Sequence, residues 1–322
     1  MPSDPTPATL PPTGDPLARL APVVGAAFAR LQADVWTTTE PGRLALVDLR
    51  ITQLLGDDSG PGGGGYAATL VPEDRRRDLP RWPTTPSFTD EERVCLGFAE
   101  QFVIDVSGVD DRLRAALAST LGPTGMLGFV VALFTLDYGR RVRMVLDGLF
   151  PDEIGPGDRS VADAGPMEGL ALLGVFEDLS RTVALLDSID PVTTELVRLR
   201  GARQHNCRLC QSTRSVRALE AGADEPLFDA TECYEDSDLS ESRKVALRLT
   251  DAIITEPGSV NAALAGQLHR WFTPLQVVEL VMDVMRNSGQ KIAVALAADD
   301  PHVTSGFERF EITRSGDVAY LA

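Results

Sequence analysis

LSESRKVALRLTDAIITEPGSVNAALAGQLHRWFTPLQVVELVMDVMRNSGQKI, residues 239–292, decides how this chain of 322 residues is read, because a second version of it occurs upstream. FTDEERVCLGFAEQFVIDVSGVDDRLRAALASTLGPTGMLGFVVALFTLDYGRR, from Phe88, lies beside it without a gap. Thr89 pairs with Ser240, Arg93 with Lys244, Val94 with Val245, Leu96 with Leu247, Val109 with Val260, Leu117 with Leu268 and Pro123 with Pro274. In each version a hydroxyl residue followed by acids starts a helix, a short polar break follows, and a proline near a helix start opens a long apolar helix. An internal repeat of this length points to two tandem copies of one helical unit. EPGRLALVDLR from Glu40 lies beside DPVTTELVRLR from Asp190, each opening with an acid before proline, which extends the match upstream.

The rest of the chain agrees with an all-α reading. Pro16 to Trp36 and Gly165 to Asp187 repeat apolar residues every three or four positions, as amphipathic or buried helices do. Strand-like alternation is confined to RFEITRSGDVAYLA near residue 322, which reads either as a hairpin turning at Arg314 to Asp317 or as an ordered tail on the helices. The expected organisation is a disordered Pro/Thr-rich tail (1–15), a first helical repeat (16–155), a second (156–300) and a tail with a short hairpin (301–322).

Composition bounds the partners. With 47 acidic against 30 basic residues the net charge is −17, which opposes binding to nucleic acid or anionic lipid. The first residues carry no basic, apolar leader, and charges interrupt each apolar run before the roughly 20 residues a membrane helix requires. A cytoplasmic protein is therefore expected. In that reducing setting a close CxxC is more often redox-active or metal-binding than a structural staple.

Such a CxxC exists only in the second copy, in TELVRLRGARQHNCRLCQSTRS from Thr194. Glu195 lies opposite Ala45 of the first copy, Cys207 opposite Asp57 and Cys210 opposite Gly60, after which the first copy enters a Gly/Pro-rich stretch expected to be a loop. Read as one helix, Cys207, Cys210 and Arg214 share a face. Arg214 then sets a fixed positive charge beside the sulfurs, but arginine keeps its proton and cannot act as a base. Glu195, or His205 in the helix–helix junction, is left to move the thiol proton directly or through water.

The bland alternatives are a partial zinc site, for which Glu195 and His205 are poorly spaced, and two ordinary helix cysteines. Cys95 reads as core packing and Cys233 sits in an acidic stretch that disfavours a thiolate. His269 and His302 have no evident partner in sequence. No cofactor or metal is expected.

The segment from Asp190 to Leu296 resembles the AhpD-like, carboxymuconolactone decarboxylase family, and Pro41 to Leu149 resembles it more weakly. That resemblance implies an all-α, oligomeric protein in which Glu195 is a relay glutamate, Cys210 attacks a hydroperoxide and Cys207 resolves the product. The family's histidine, four residues after the second cysteine, falls on Arg214, which breaks the relay or reroutes it through His205. The expected activity is that of a thiol-dependent peroxidase or disulfide oxidoreductase, with a hydroperoxide as substrate and a small thiol or protein as reductant. The competing readings are a redox-sensing helical binding protein without turnover and a lactone enzyme of the decarboxylase branch.

Overall fold

A computed structural model describes residues 15–37, 41–57, 65–151 and 169–321. The expected tail, the acid at Glu40, Gly60 opposite Cys210 and the start of the helix at Gly165 lie outside these. Among the described residues the chain is all-α apart from one small sheet.

The helix expected from Pro16 to Trp36 is two helices, α1 (Pro16–Leu20) and α2 (Pro22–Asp34), because Ala21 leaves helical geometry and Pro22 restarts it. α3 (Pro41–Leu55) follows. The stretch expected to be a loop holds two short helices, α4 (Gly65–Leu70) and α5 (Glu73–Asp78), the latter with acids in its first turn and arginines in its last, as the helix dipole favours. α6 (Asp90–Ile104) opens on a complete capping box between Thr89 and Glu92.

α7 (Asp111–Leu149) is the spine of the molecule. It is kinked where Gly122 takes a positive φ of 71° before Pro123, a conformation that glycine adopts without strain. Contrary to the sequence expectation, α7 is long and apolar enough to cross a membrane by length and composition. Here its residues 128–142 are all buried in the core.

The second half contributes α8 (Gly169–Ala184), α9 (Pro191–Gln204), α10 (Arg208–Gln211), α11 (Val216–Glu220), α12 (Glu225–Asp229), α13 (Glu241–Thr255), α14 (Ala262–Trp271), α15 (Pro274–Ser288) and α16 (Gln290–Ala295). Its boundaries match the first half at the offset of the sequence repeat. α13 opposes α6, each followed by a short 3-10 turn, at Val106–Gly108 and Pro257–Ser259. α14 and the start of α7 are capped by Asn261 and Asp110, and Pro274 of α15 opposes Pro123.

The halves share one apolar core. α2 packs on α8, α7 packs on α8, α13, α15 and α16, and Arg114 donates to the carbonyls of Val294 and Ala295.

The hairpin forms, with β2 (Glu308–Ile312) antiparallel to β3 (Val318–Leu321) around a turn from Thr313 to Asp317. The pattern did not reveal its third strand, β1 (Thr213–Ser215), which pairs parallel with β2 in the register Thr213 to Glu308 and Ser215 to Phe310. The end of the chain is therefore tied to the segment that follows the CxxC.

Candidate functional site

α9 starts at the Asp190 cap and ends at His205, and Asn206 reverses the chain with a φ of 52°, a left-handed conformation that asparagine tolerates better than most residues. Cys207 then caps α10, its sulfur accepting the Cys210 N–H at 3.2 Å. The two cysteines are bonded as a disulfide, with Cα atoms 5.3 Å apart. Their exposure is unequal: Cys207 is fully buried, whereas Cys210 is partly open to solvent.

α10 stops after four residues, so the reading of Cys207, Cys210 and Arg214 as one helical face does not hold. Arg214 lies in β1. Its guanidinium is stacked between the rings of Phe307 (3.6 Å) and Phe228 (5.4 Å) and donates to the Glu225 carboxylate and to the carbonyls of Gln211 and Thr213. It makes no hydrogen bond to sulfur and serves as a buried clasp between β1 and α12.

Glu195 is buried within α9. Both its oxygens are held by Arg198, from Nε and Nη2 at 2.7 Å each, and one also accepts the Ser215 N–H at 3.1 Å. Arg198 escaped the sequence reading because an arginine one turn after a glutamate looks like half of a surface pair. It continues to the dithiol, donating from Nη1 to the Cys210 carbonyl at 2.8 Å.

On the other side of the turn Asp299 receives the Arg208 N–H and guanidinium, and its carbonyl receives the Leu209 N–H at 2.9 Å. The Glu308 N–H bonds the Ser212 carbonyl at 2.9 Å.

His205 faces away from this centre. Its Nε2 lies 3.1 Å from the Tyr138 hydroxyl and 3.2 Å from that of Ser288, in a buried polar network. Burial, with the charges of Lys291 and Arg141 nearby, holds its pKa well below the ordinary histidine value, so the imidazole is neutral at pH 7. In the same network Asp137 binds Arg141 at 2.6 Å and Lys291 at 2.8 Å, and the Lys291 ammonium lies 4.4 Å from the centre of the Phe102 ring. This network joins α7, α9 and α15–α16 through groups the sequence reading did not single out, His205 excepted.

In the first half, where Asp57 opposes Cys207, a buried ion cluster takes the place of the dithiol. Arg140 binds Asp57 at 2.5 Å and Asp48 at 2.9 Å. The Asp48 position opposes Arg198 in the repeat, so the charge there is reversed.

Cys95 is a core thiol whose pKa burial pushes up to about 11, and Cys233 is exposed. The remaining histidines do find partners, His269 at the Leu149 carbonyl (3.1 Å) and His302 at Glu308 (2.9 Å). Among the described residues no group of three or more His, Cys, Asp or Glu is arranged to hold a metal. A surface cavity of about 510 Å³ lies along His269 to Gln276, away from the dithiol.

Two proteins of Mycobacterium tuberculosis are similar to this chain along most of its length. Uncharacterized protein MT2376 of strain CDC 1551 / Oshkosh and Uncharacterized protein Rv2313c of strain ATCC 25618 / H37Rv are each 38% identical over 271 residues, covering 80% of this chain and 93% of the relative. No family model matches the chain, and no solved structure matches it.

Proposed function

This chain belongs to one family with those two mycobacterial proteins, and we propose that it is a dithiol–disulfide oxidoreductase of the AhpD type, turning over through Cys207 and Cys210. The observation that carries the reading is the pair itself: two cysteines within bonding reach, one partly open to solvent and one fully buried. Solvent reaches Cys210, which makes it the attacking sulfur, and burial makes Cys207 the resolving one.

In the peroxidase cycle the Cys210 thiolate attacks the outer oxygen of a hydroperoxide, the O–O bond breaks, and the alkoxide takes a proton to leave as alcohol. Cys210 is now a sulfenic acid. The Cys207 thiol condenses with it, forming the S–S bond and releasing water. A separate dithiol or small thiol returns two electrons and two protons.

Proton movement falls to water at the exposed side of Cys210. Glu195 has both oxygens committed to Arg198, His205 is turned into the core, and Arg214 is held by Glu225. The same reading takes the two helical halves as products of a duplication, packed as an intramolecular pseudo-dimer in which only the second kept the dithiol. It also places the protein in the cytoplasm, where cellular thiols are available for re-reduction, and has it assemble further into homo-oligomers.

The test is to add cumene hydroperoxide to reduced protein and follow free thiols, with mass spectrometry of the Cys207–Cys210 peptide. The expected result is rapid formation of that disulfide, its absence in Cys210→Ser, and in Cys207→Ser a sulfenic acid on Cys210 that dimedone traps. Thiols that persist for hours under excess hydroperoxide would sink the peroxidase reading.

A further inference from the structure

Arg198 has five N–H donors, and each has its own acceptor. Nε donates to Glu195 Oε2 at 2.7 Å. Nη2 donates to Glu195 Oε1 at 2.7 Å and to the Thr213 carbonyl at 2.8 Å. Nη1 donates to the Cys210 carbonyl at 2.8 Å and to Thr213 Oγ1 at 3.3 Å. Its guanidinium lies 5.0 Å from the centre of the Phe310 ring. One side chain thus ties together α9, the end of α10, β1 and β2.

We infer that Arg198 is the positioning residue of the dithiol, holding the Cys207–Cys210 turn closed and so setting how strongly the pair favours the disulfide. This inference rests on the reading of Cys207 and Cys210 as a working redox pair, and gives Glu195 a different task from the relay that the family resemblance implies. Glu195 is the anion that fixes the guanidinium: its carboxylate matches the Nε/Nη2 edge of the fork, leaving the other edge free for the two backbone carbonyls.

Closing a disulfide takes two sulfurs from independent motion to one bond, and the cost falls when the backbone already holds their Cα atoms at bonding separation. Here that separation is 5.3 Å, and the carbonyl of one of the two cysteines is pinned by Nη1. With the clamp removed the oxidised turn keeps its bond but the reduced turn gains freedom, which shifts the equilibrium toward the dithiol. Lysine cannot replace the fork. It has three donors on one nitrogen and cannot span a carboxylate and two carbonyls in one plane.

The experiment equilibrates the full-length protein in glutathione redox buffers and reads the oxidised fraction of the Cys207–Cys210 peptide by thiol labelling and mass spectrometry. The reaction balances as protein disulfide plus two glutathione thiols giving protein dithiol plus glutathione disulfide. Two variants are compared with the parent: Arg198→Lys, which keeps a cation beside Glu195, and the double change Glu195→Gln with Arg198→Met, which removes the buried charges together.

Both are expected to favour the dithiol about tenfold more than the parent, a rise of about 30 mV in reduction potential for this two-electron couple. A constant within twofold of the parent in whichever variant folds would overturn the inference. The readout needs no peroxide turnover, so a protein that fails as a peroxidase still gives a result here.

Discussion

Asp137→Ala is expected to lower the unfolding free energy by about 3–5 kcal/mol, the usual range when a buried ion pair loses one partner. The Asp137 carboxylate has no solvent exposure and holds two buried cations, Arg141 from Nε and Lys291 from Nζ. Arg141 keeps other partners, the carbonyls of Val103, Ile253 and Ile254. Among the described residues Lys291 keeps only the aromatic faces of Phe102 and Tyr138.

Burial already pushes the Lys291 pKa down to about 8, with Asp137 opposing the fall. Without that carboxylate the lysine sheds its proton at neutral pH, which limits the damage to the desolvation of a neutral amine and an arginine. Urea unfolding at pH 7 measures the loss, and a destabilisation below about 1 kcal/mol would show that the carboxylate does not hold this core. Adding Lys291→Met to Asp137→Ala is expected to restore part of the lost stability, because the second change removes a buried amine left without a hydrogen-bond acceptor.

Asp283→Asn works in the opposite direction and is expected to stabilise the protein at pH 8 by up to about 4 kcal/mol, the equivalent of roughly three pKa units. Asp283 is 4% exposed, and no hydrogen bond or ion pair holds its carboxylate among the described residues. Arg286, one turn on, donates instead to the Ser180 carbonyl and to Asn287 Oδ1. Burial lifts the Asp283 pKa from 3.8 to about 7, against the pull of Arg286 and with help from the negative Glu279.

Between pH 4 and 7 the folded state therefore holds a proton that the unfolded chain has released, so the stability contributed at this position falls as pH rises through that window. Above pH 7 both states are ionised and the full burial cost is present. The asparagine variant removes that cost, so its advantage should shrink toward pH 4. Melting curves of both proteins at pH 4, 6 and 8 decide the matter: equal stabilities at pH 8, or equal slopes across the window, would refute the assignment.

Most helix starts were legible because their signals are local. Thr89, Asp190 and Ser240, read from the sequence as helix starts, each cap a helix with the side chain, and the structure shows Asp110 and Thr273 doing the same, so a hydroxyl or acid before a helical run carries the boundary. The dithiol was legible for the same reason, since CxxC spacing is read within four residues. Arg214 was misplaced because the helical period was continued past Gln211. The backbone turns there at Ser212, and the next three residues pair with a strand almost a hundred residues later, to which local periodicity is blind.

Arg198 and Lys291 were missed because long cationic side chains are usually at the surface; Lys291 is held by Asp137 of a distant helix, and Arg198 reaches past its own helix to the carbonyls of Cys210 and Thr213. Asp283 carried a usable signal. In LQVVELVMDVMRN the acids Glu279 and Asp283 interrupt an apolar run four residues apart, and an acid in so apolar a helix has to be buried or to face a partner.

The sequence contains two lysines, Lys244 in the first turn of α13 and Lys291 in the core. To a protease that cuts only after lysine, the native protein therefore presents one site released by fraying of a helix end and one released only when the core opens. The ratio of the two cleavage rates compares local with global opening without any label. The ammonium group that Asp137 keeps charged in the interior thus also marks, in the digest, each molecule whose interior has come apart.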